Sequence, residues 1–456
     1  MHLRTAVKRT LGPVLRAAGA DPLQLSPAHW GLRTDALGAL CLGSHNLGDL
    51  ARQYGTPLHV FDTAALGRNV DALAQLDIFF SYKTHPLPSV LRRLYAMGVG
   101  AEVISEMELD LALRLGVHPQ RIIYNGPAKS ERSLRTAIER GILMLNLNHP
   151  EELAPVAAMA HACGRPVRLG IRVNGSSGWA GQFGTMIADG SAMALFREAL
   201  QTQGVEVIGL HGHRGELIGD THTLHAFLDE LLAFADELHA ALGWSPRIID
   251  VGGSLAVGTV RQITPLLRRL SQTFDVEIGA VDTARTLSLP GYAAITRGRI
   301  SAHYRRVGRP VPHLVCEPGR AVTGNAQFLL TRVVSVRECD DGRALAILDA
   351  GINIAGILHH ERHQIFSVDR SADENTQRYR LVGPICQPGD VISNALQLPR
   401  LASGDVLAIM DAGAYFESDS TVFSFPRPGT LLIEGDGITV ARRAETLDDV
   451  MARDAA

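Results

Sequence analysis

Phe79-Phe80-Ser81-Tyr82-Lys83-Thr84-His85-Pro86 is the stretch on which the reading of this chain turns. With Ile78 before it, the run up to Phe80 is strand-like, and Pro86 breaks the pattern just after the lysine. Only Lys8, Lys83 and Lys129 occur in the sequence, so 41 of the 44 basic residues are arginine. A chain that uses arginine for generic positive charge keeps lysine for a task arginine cannot do, such as forming a Schiff base. A surface lysine that happens to end a strand is the plain alternative.

Outward from that lysine the chain has a rhythm. Strand-like runs occur at 57–61, 78–82, 100–104, 121–124, 143–147, 167–173, 207–211, 248–251 and 313–316. Between most of them lie amphipathic helical patterns, as at 89–97, 106–115, 130–140, 150–163 and 224–242. Short apolar strands alternating with helices predict parallel β-α units, and this many units predict an α/β fold with a (β/α)8 barrel. Polar residues then recur at the strand C-terminal ends: Lys83, Ser105, Asn125, Asn146, Arg172, His211, Gly252-Gly253 and Glu317. In a barrel those ends converge on one face, where such folds place their active sites. The segment 258–312 breaks the rhythm, is rich in arginine and predicts a helix with an insertion. After Gly324 the pattern becomes short alternating strands, at 327–336, 343–348, 378–382, 405–410 and 430–434, which predicts an antiparallel β-domain. Residues 369–377 read as an exposed loop.

Composition sets the bounds. At 456 residues the chain can bury a large core. Net charge is −3, with no basic block and no acidic tail, which argues against nucleic acid as a partner. No apolar run approaches the ~18 residues of a membrane span. The basic N-terminus reads as an amphipathic helix, and it lacks the apolar core and cleavage site of a secretory signal. Five scattered cysteines without metal-type spacing point to reduced thiols and a cytoplasmic location.

Several motifs carry chemistry. Ile249-Asp250-Val251-Gly252-Gly253-Ser254 runs a strand into a glycine pair, whose bare backbone can approach a phosphate; a tight turn is the alternative. His211-Gly212-His213 puts two imidazoles on one face of a strand, suited to stacking on a planar cofactor, or serving only as a polar strand end. Glu317-Pro318-Gly319-Arg320 ends an apolar strand with a carboxylate that needs a cationic partner or a ligand. Arg320 suits a phosphate or carboxylate, or an internal pair with Glu317. Cys386, in the rigid loop Gly383-Pro384-Ile385-Cys386-Gln387-Pro388-Gly389-Asp390, is a candidate nucleophile or proton donor, or a harmless thiol. Asp411-Ala412-Gly413-Ala414-Tyr415 could bring a hydroxyl to a ligand, or bury a core tyrosine.

Together, in this order, these motifs resemble the fold-type-III pyridoxal-phosphate decarboxylases, the diaminopimelate, ornithine and arginine decarboxylase family, and most of all its diaminopimelate branch. The resemblance runs from about residue 40 to 437. It implies a barrel over 57–316 and a β-domain over 317–446, of the alanine-racemase and ornithine-decarboxylase kind. A segment 36–56 joins the β-domain, flanked by an extension 1–35 and a tail 447–456. It implies pyridoxal 5'-phosphate as cofactor, an amino acid as substrate and a homodimer with shared active sites. Lys83 would carry the cofactor as a Schiff base, with burial keeping its amine neutral, and His213 would stack on the ring. Gly252, Gly253, Ser254, Gly319, Arg320 and Tyr415 would bind the cofactor, and Glu317 would meet the pyridine nitrogen. Cys386 of a partner subunit would return the proton; Arg320, Gln387, Asp390 and Tyr415 would face the substrate.

The departures concern the substrate. Where the diaminopimelate enzymes follow the cysteine with a glutamate that reads the distal amino group, this chain has Gln387. A neutral amide loses a charge-assisted bond worth about 1.5–3 kcal/mol. The R-P and tyrosine that follow D-A-G in those enzymes are missing after Asp349-Ala350-Gly351, and Gln182 replaces a lysine before Phe183-Gly184. The expectation is therefore a decarboxylase of another amino acid or amino-acid conjugate in a specialised pathway. True meso-diaminopimelate decarboxylase is the alternative, and a racemase or a non-catalytic regulator on the same fold are further ones.

Overall fold

The structure, a computed structural model, describes residues 25–175, 182–215, 217–274, 286–338, 344–371 and 375–454. The amphipathic helix expected at the N-terminus falls mostly outside them. The chain divides into two compact units, one of residues 68–257 and 285–322, the other of 1–67, 258–284 and 323–456.

The first unit is the barrel. Its strands are β1 (Asp77–Ser81), β2 (Gly100–Val103), β3 (Ile122–Tyr124), β4 (Met144–Leu147), β5 (Val167–Asn174), β6 (Val205–Gly212), β7 (Ile248–Asp250) and β8 (His313–Cys316). Every neighbouring pair is parallel, and pairing of β8 with β1 and of β4 with β5 closes the ring. Phe79, Ile123, Met144, Ile208, Ile248 and Val315 fill its interior. Strands buried on both sides read as continuous apolar runs, which is why the sequence showed them clearly. The helices follow as expected, among them Glu106–Arg114, Glu131–Arg140 and Thr221–Leu242. Ser105, Ser130 and Asp220 start these three by accepting the N–H of the residue three positions on. Ser105 is therefore a helix cap.

The second unit is built on a sheet in the order Val391–Pro399, Thr376–Val382, Ala344–Leu348, Gln327–Glu338, Leu58–Asp62, Gly429–Glu434, Gly437–Arg442. Val406–Ile409 also pairs with Gln327–Glu338, and Ile365–Ser367 pairs with Val406–Ile409. Most pairs are antiparallel, as expected; Ala344–Leu348 with Thr376–Val382 and Leu58–Asp62 with Gly429–Glu434 are parallel. Two apolar clusters support the sheet, one around Tyr379, Leu381 and Phe416, the other around Trp30, Val60 and Phe328.

Two expectations are corrected here. The run 57–61, read as a barrel strand, is a central strand of the β unit, paired with Gln327–Leu330 and with Gly429–Ile433. A five-residue apolar strand looks the same in either sheet, so periodicity could not assign it. The arginine-rich segment is split: 258–284 belongs to the β unit, while the helix Leu289–Arg306 belongs to the barrel. Among the described residues no helix is long and apolar enough to cross a membrane.

Candidate active site

Residues Tyr82–Thr84 form a single tight helical turn after β1. Tyr82, Thr84 and His85 are buried and Lys83 is exposed. The expectation of a buried lysine is thus corrected: the turn packs its neighbours inward and tips this one side chain out. The turn is braced by the segment after β8. Ser81 N–H donates to the Pro318 carbonyl at 3.3 Å, and a Cβ on Gly319 would stand 2.0 Å from Thr84 Oγ1. Only glycine allows the two turns to interlock. Burial raises Glu102 and Glu108 and lowers His211 and His213; the neighbouring Lys83 opposes the first pair of shifts and adds to the second.

A network of buried polar groups lies at the strand ends. Asn125 Nδ2 donates to Glu102 Oε1 at 2.9 Å and to Glu317 Oε1 at 2.7 Å. Asn146 Nδ2 donates to Asn125 Oδ1 at 2.7 Å, and Ser81 Oγ to Glu102 Oε2 at 2.5 Å. His211 Nε2 lies 3.4 Å from Glu317 Oε2. The carboxyl groups differ in protonation because their partners differ. Burial, then the Glu317 charge, pushes Glu102 up to about 7. Burial and Glu317 also push Asp250 well above the usual carboxylate range. Burial works to raise Glu317 too, but His211 beside it, then Asp250 and the hydrogen bond from Asn125, outweigh it and hold Glu317 low. His211 itself is pushed down by burial. The result is a buried, ionised Glu317, with Asp250 keeping its proton. Arg172 supplies countercharge to this group, its guanidinium 5.2 Å over the Phe183 ring.

Beyond β7 the backbone turns sharply, with φ of 66° at Gly252 and 64° at Ser254. A Cβ on Gly253 would lie 2.5 Å from the Glu317 carbonyl oxygen, and one on Gly252 would lie 2.7 Å from His213 Cδ2. The glycine pair is required by close approach. The Gly215 N–H donates to His213 Nδ1 at 3.2 Å, which places the ring proton on Nε2. Burial, then Arg172 and Lys83, push His213 well below its ordinary pKa, so the ring is neutral. His211, Asp250 and Glu317 bring a nitrogen and two carboxylate oxygens within 4.8 Å of one another. With Asp250 protonated, this trio suits one positively charged N–H group. A neutral ring, bare backbone at a strand end, a buried anion and an exposed amine fit a flat, phosphorylated pyridine aldehyde.

Of the residues singled out from sequence, the barrel unit holds Lys83, His213, Gly252, Gly253, Ser254, Glu317, Gly319 and Arg320. Cys386, Gln387, Asp390 and Tyr415 lie in the β unit. Cys386 is exposed at a φ of 51°, and Tyr415 is half-buried at 71°. Non-glycine residues hold such angles only where their surroundings enforce them. For Cys386 the enforcer is Asp390, whose buried carboxylate accepts the N–H of Ile352 at 2.8 Å and of Ile385 at 3.0 Å. Both oxygens are thus engaged by backbone, and Asp390 shapes the loop. Gln387 is exposed, its Oε1 accepting the Gly389 N–H. Sequence reading missed Glu102 and Glu108. The signal for Glu102 was a charge inside the apolar run Ala101-Glu102-Val103.

Comparison with known proteins agrees with this geometry. The family model of the pyridoxal-dependent decarboxylases, pyridoxal binding domain, matches residues 63–324. The diaminopimelate decarboxylase of Pseudomonas aeruginosa is 30% identical, over 89% of this chain and 94% of its own. That of Methanothermobacter thermautotrophicus is 29% identical, over 91% and 95%. Among solved structures, AQ1208 from Aquifex aeolicus is 25% identical with a TM-score of 0.78, covering 92% of this chain and 96% of that one. The diaminopimelate decarboxylase of M. jannaschi, at 23% identity and a TM-score of 0.81 over 93% and 98%, shares the fold. By family, fold and cofactor the chain belongs to the fold-type-III pyridoxal-phosphate-dependent decarboxylases, in the diaminopimelate decarboxylase branch, and is a carboxy-lyase acting on an amino acid.

Proposed function

We propose that the protein is a meso-diaminopimelate decarboxylase working as a cytoplasmic homodimer. Full-length likeness to several enzymes of that name favours this over the specialised substrate expected from sequence. Within the site, the observation that carries the chemistry is the buried, ionised Glu317 set among Asn125, His211 and Asp250. Pyridoxal phosphate, when bound, supplies an electron sink for the pair left as carbon dioxide departs. Lys83 would hold it through the aldehyde carbon, and Glu317 would meet the ring nitrogen and keep a proton there. Gly252, Gly253, Ser254 and Arg320 would take its phosphate. His213, neutral and flat, would pack against the ring. Cys386 of a partner subunit would supply the proton that replaces the lost carboxylate.

A second reading, decarboxylation of a different amino acid or a conjugate, is favoured by Gln387 and by the residues after Gly351, which lack the family's arginine and tyrosine. The two separate in a carbon dioxide release assay with meso-diaminopimelate against a panel of amino acids. Release from meso-diaminopimelate above all others is expected. Turnover of another amino acid alone would transfer the assignment to the second reading. Failure of borohydride to fix the cofactor at Lys83, read by peptide mass, would count against the Lys83 assignment.

A further inference from the structure

Arginine is the general cation of this chain, yet a second lysine besides Lys83 stands in the barrel unit: Lys129, in Asn125-Gly126-Pro127-Ala128-Lys129-Ser130 after β3. Its side chain is only 3% exposed. A buried ammonium needs its hydrogens accepted and its charge matched. Lys129 Nζ donates to Glu152 Oε1 at 2.9 Å and to the Gly126 carbonyl oxygen at 2.6 Å, and it lies 5.6 Å from the centre of the Tyr124 ring. An ammonium directs its hydrogens apart, whereas a guanidinium holds its donors in one rigid plane. Divergent donors suit two acceptors that come from different turns.

The carbonyl that Lys129 holds adjoins Asn125. Gly126 has a φ of 48°, and a Cβ there would stand 1.9 Å from the Ile104 carbonyl oxygen, so this backbone is pressed against the end of β2. Its own oxygen accepts from Lys129 and, at 3.2 Å, from Asn148 Nδ2. Glu152 completes the brace. Its Oε2 accepts the N–H groups of Asn148 and His149, so the ion pair ties the turn after β3 to the turn after β4. Between these supports the Asn125 N–H donates to the Val103 carbonyl at 2.8 Å, and its side-chain nitrogen reaches both Glu102 and Glu317.

We propose that Lys129 is a positioning residue for the decarboxylation. It clamps the Gly126 carbonyl, which fixes Asn125 and, through Asn125, the Glu317 carboxylate. The last step rests on Glu317 meeting the ring nitrogen of the cofactor; the clamp does not. Lys129→Met removes the donors and keeps the side-chain length. In the cofactor-free protein, amide exchange at Asn125 should quicken about tenfold, while exchange in the helix Thr221–Leu242 stays as it was. In the loaded enzyme kcat should fall about tenfold with KM within about twofold, and the magnetic-resonance signal of the ring nitrogen should move towards that of an unprotonated pyridine. Added to Asn125→Ala, Lys129→Met should lower kcat no further, because both act on one chain of contacts. Unchanged exchange at Asn125, or losses that add in the double variant, would overturn the proposal. If Lys129→Met alone does not fold, Lys129→Met joined to Glu152→Gln removes both charges and is read in the same way. Faster exchange at Asn125, with the ring-nitrogen signal unmoved in both Lys129→Met and Asn125→Ala, would overturn the link to Glu317 and uphold the clamp.

Discussion

Asn125 ties the site's two buried carboxylates together, because a single amide nitrogen serves both Glu102 and Glu317. Asn125→Ala leaves both acids short of a donor, and each unsatisfied buried group costs about 1–3 kcal/mol. A denaturant midpoint that did not fall would contradict this account. Glu102 adds a pH dependence. Its folded pKa, about 7, lies above the ordinary carboxylate value near 4.5 that it has unfolded. Its stabilising contribution is therefore complete below that ordinary value and is lost as pH rises towards 7. Glu102→Gln should flatten the stability profile between those limits, measured by urea unfolding at pH 5 and pH 8. Lys83, His213 and Glu317 were legible in the sequence because each ends a strand in a recognisable motif. Glu102 was not, because a lone acid in a short strand says nothing of which partners the barrel will bring to it.

At the scale of elements, the loop from Gly383 to Asp390 shows what a motif leaves unsaid. The sequence marked Cys386 and a rigid setting but not the cause of its φ of 51°, which is the grip of the Asp390 carboxylate on two backbone N–H groups. Asp390→Asn replaces one acceptor by a donor facing those groups. Losing a charge-assisted bond, about 1.5–3 kcal/mol, should raise opening of the loop about tenfold or more. Faster amide exchange at Ile385, with cofactor attachment unchanged, is the expected signature; unchanged exchange would place the restraint elsewhere. The barrel strands were legible because they are buried on both faces. Val391–Pro399 was not read as a strand because burial along it is nearly unbroken and interrupted by Ser393 and Asn394, so it shows neither alternation nor a clean apolar run. Gly437–Arg442 escaped for the opposite reason, being largely exposed.

For the whole molecule, a homodimer with shared sites makes a numerical prediction. When Lys83→Ala and Cys386→Ala subunits exchange freely in equal amounts, half the dimers are mixed and each has one intact site. Activity should then return to about a quarter of wild type, since a two-fold interface pairs each surface with its copy. Co-purification of differently tagged subunits confirms the exchange, and no recovery after proven exchange would place lysine and cysteine of one site on the same chain.

The strand Leu58–Asp62 has a further consequence. It lies between Gln327–Leu330 and Gly429–Ile433, both of which follow the entire barrel in the sequence. In the order of synthesis its neighbours emerge some hundreds of residues after it does. Every barrel strand is on hand by Cys316, whereas this early strand must wait as an unpaired edge. A chain halted between residues 317 and 428 would hold all eight strands of the barrel, yet one side of Leu58–Asp62 would still lack its partner.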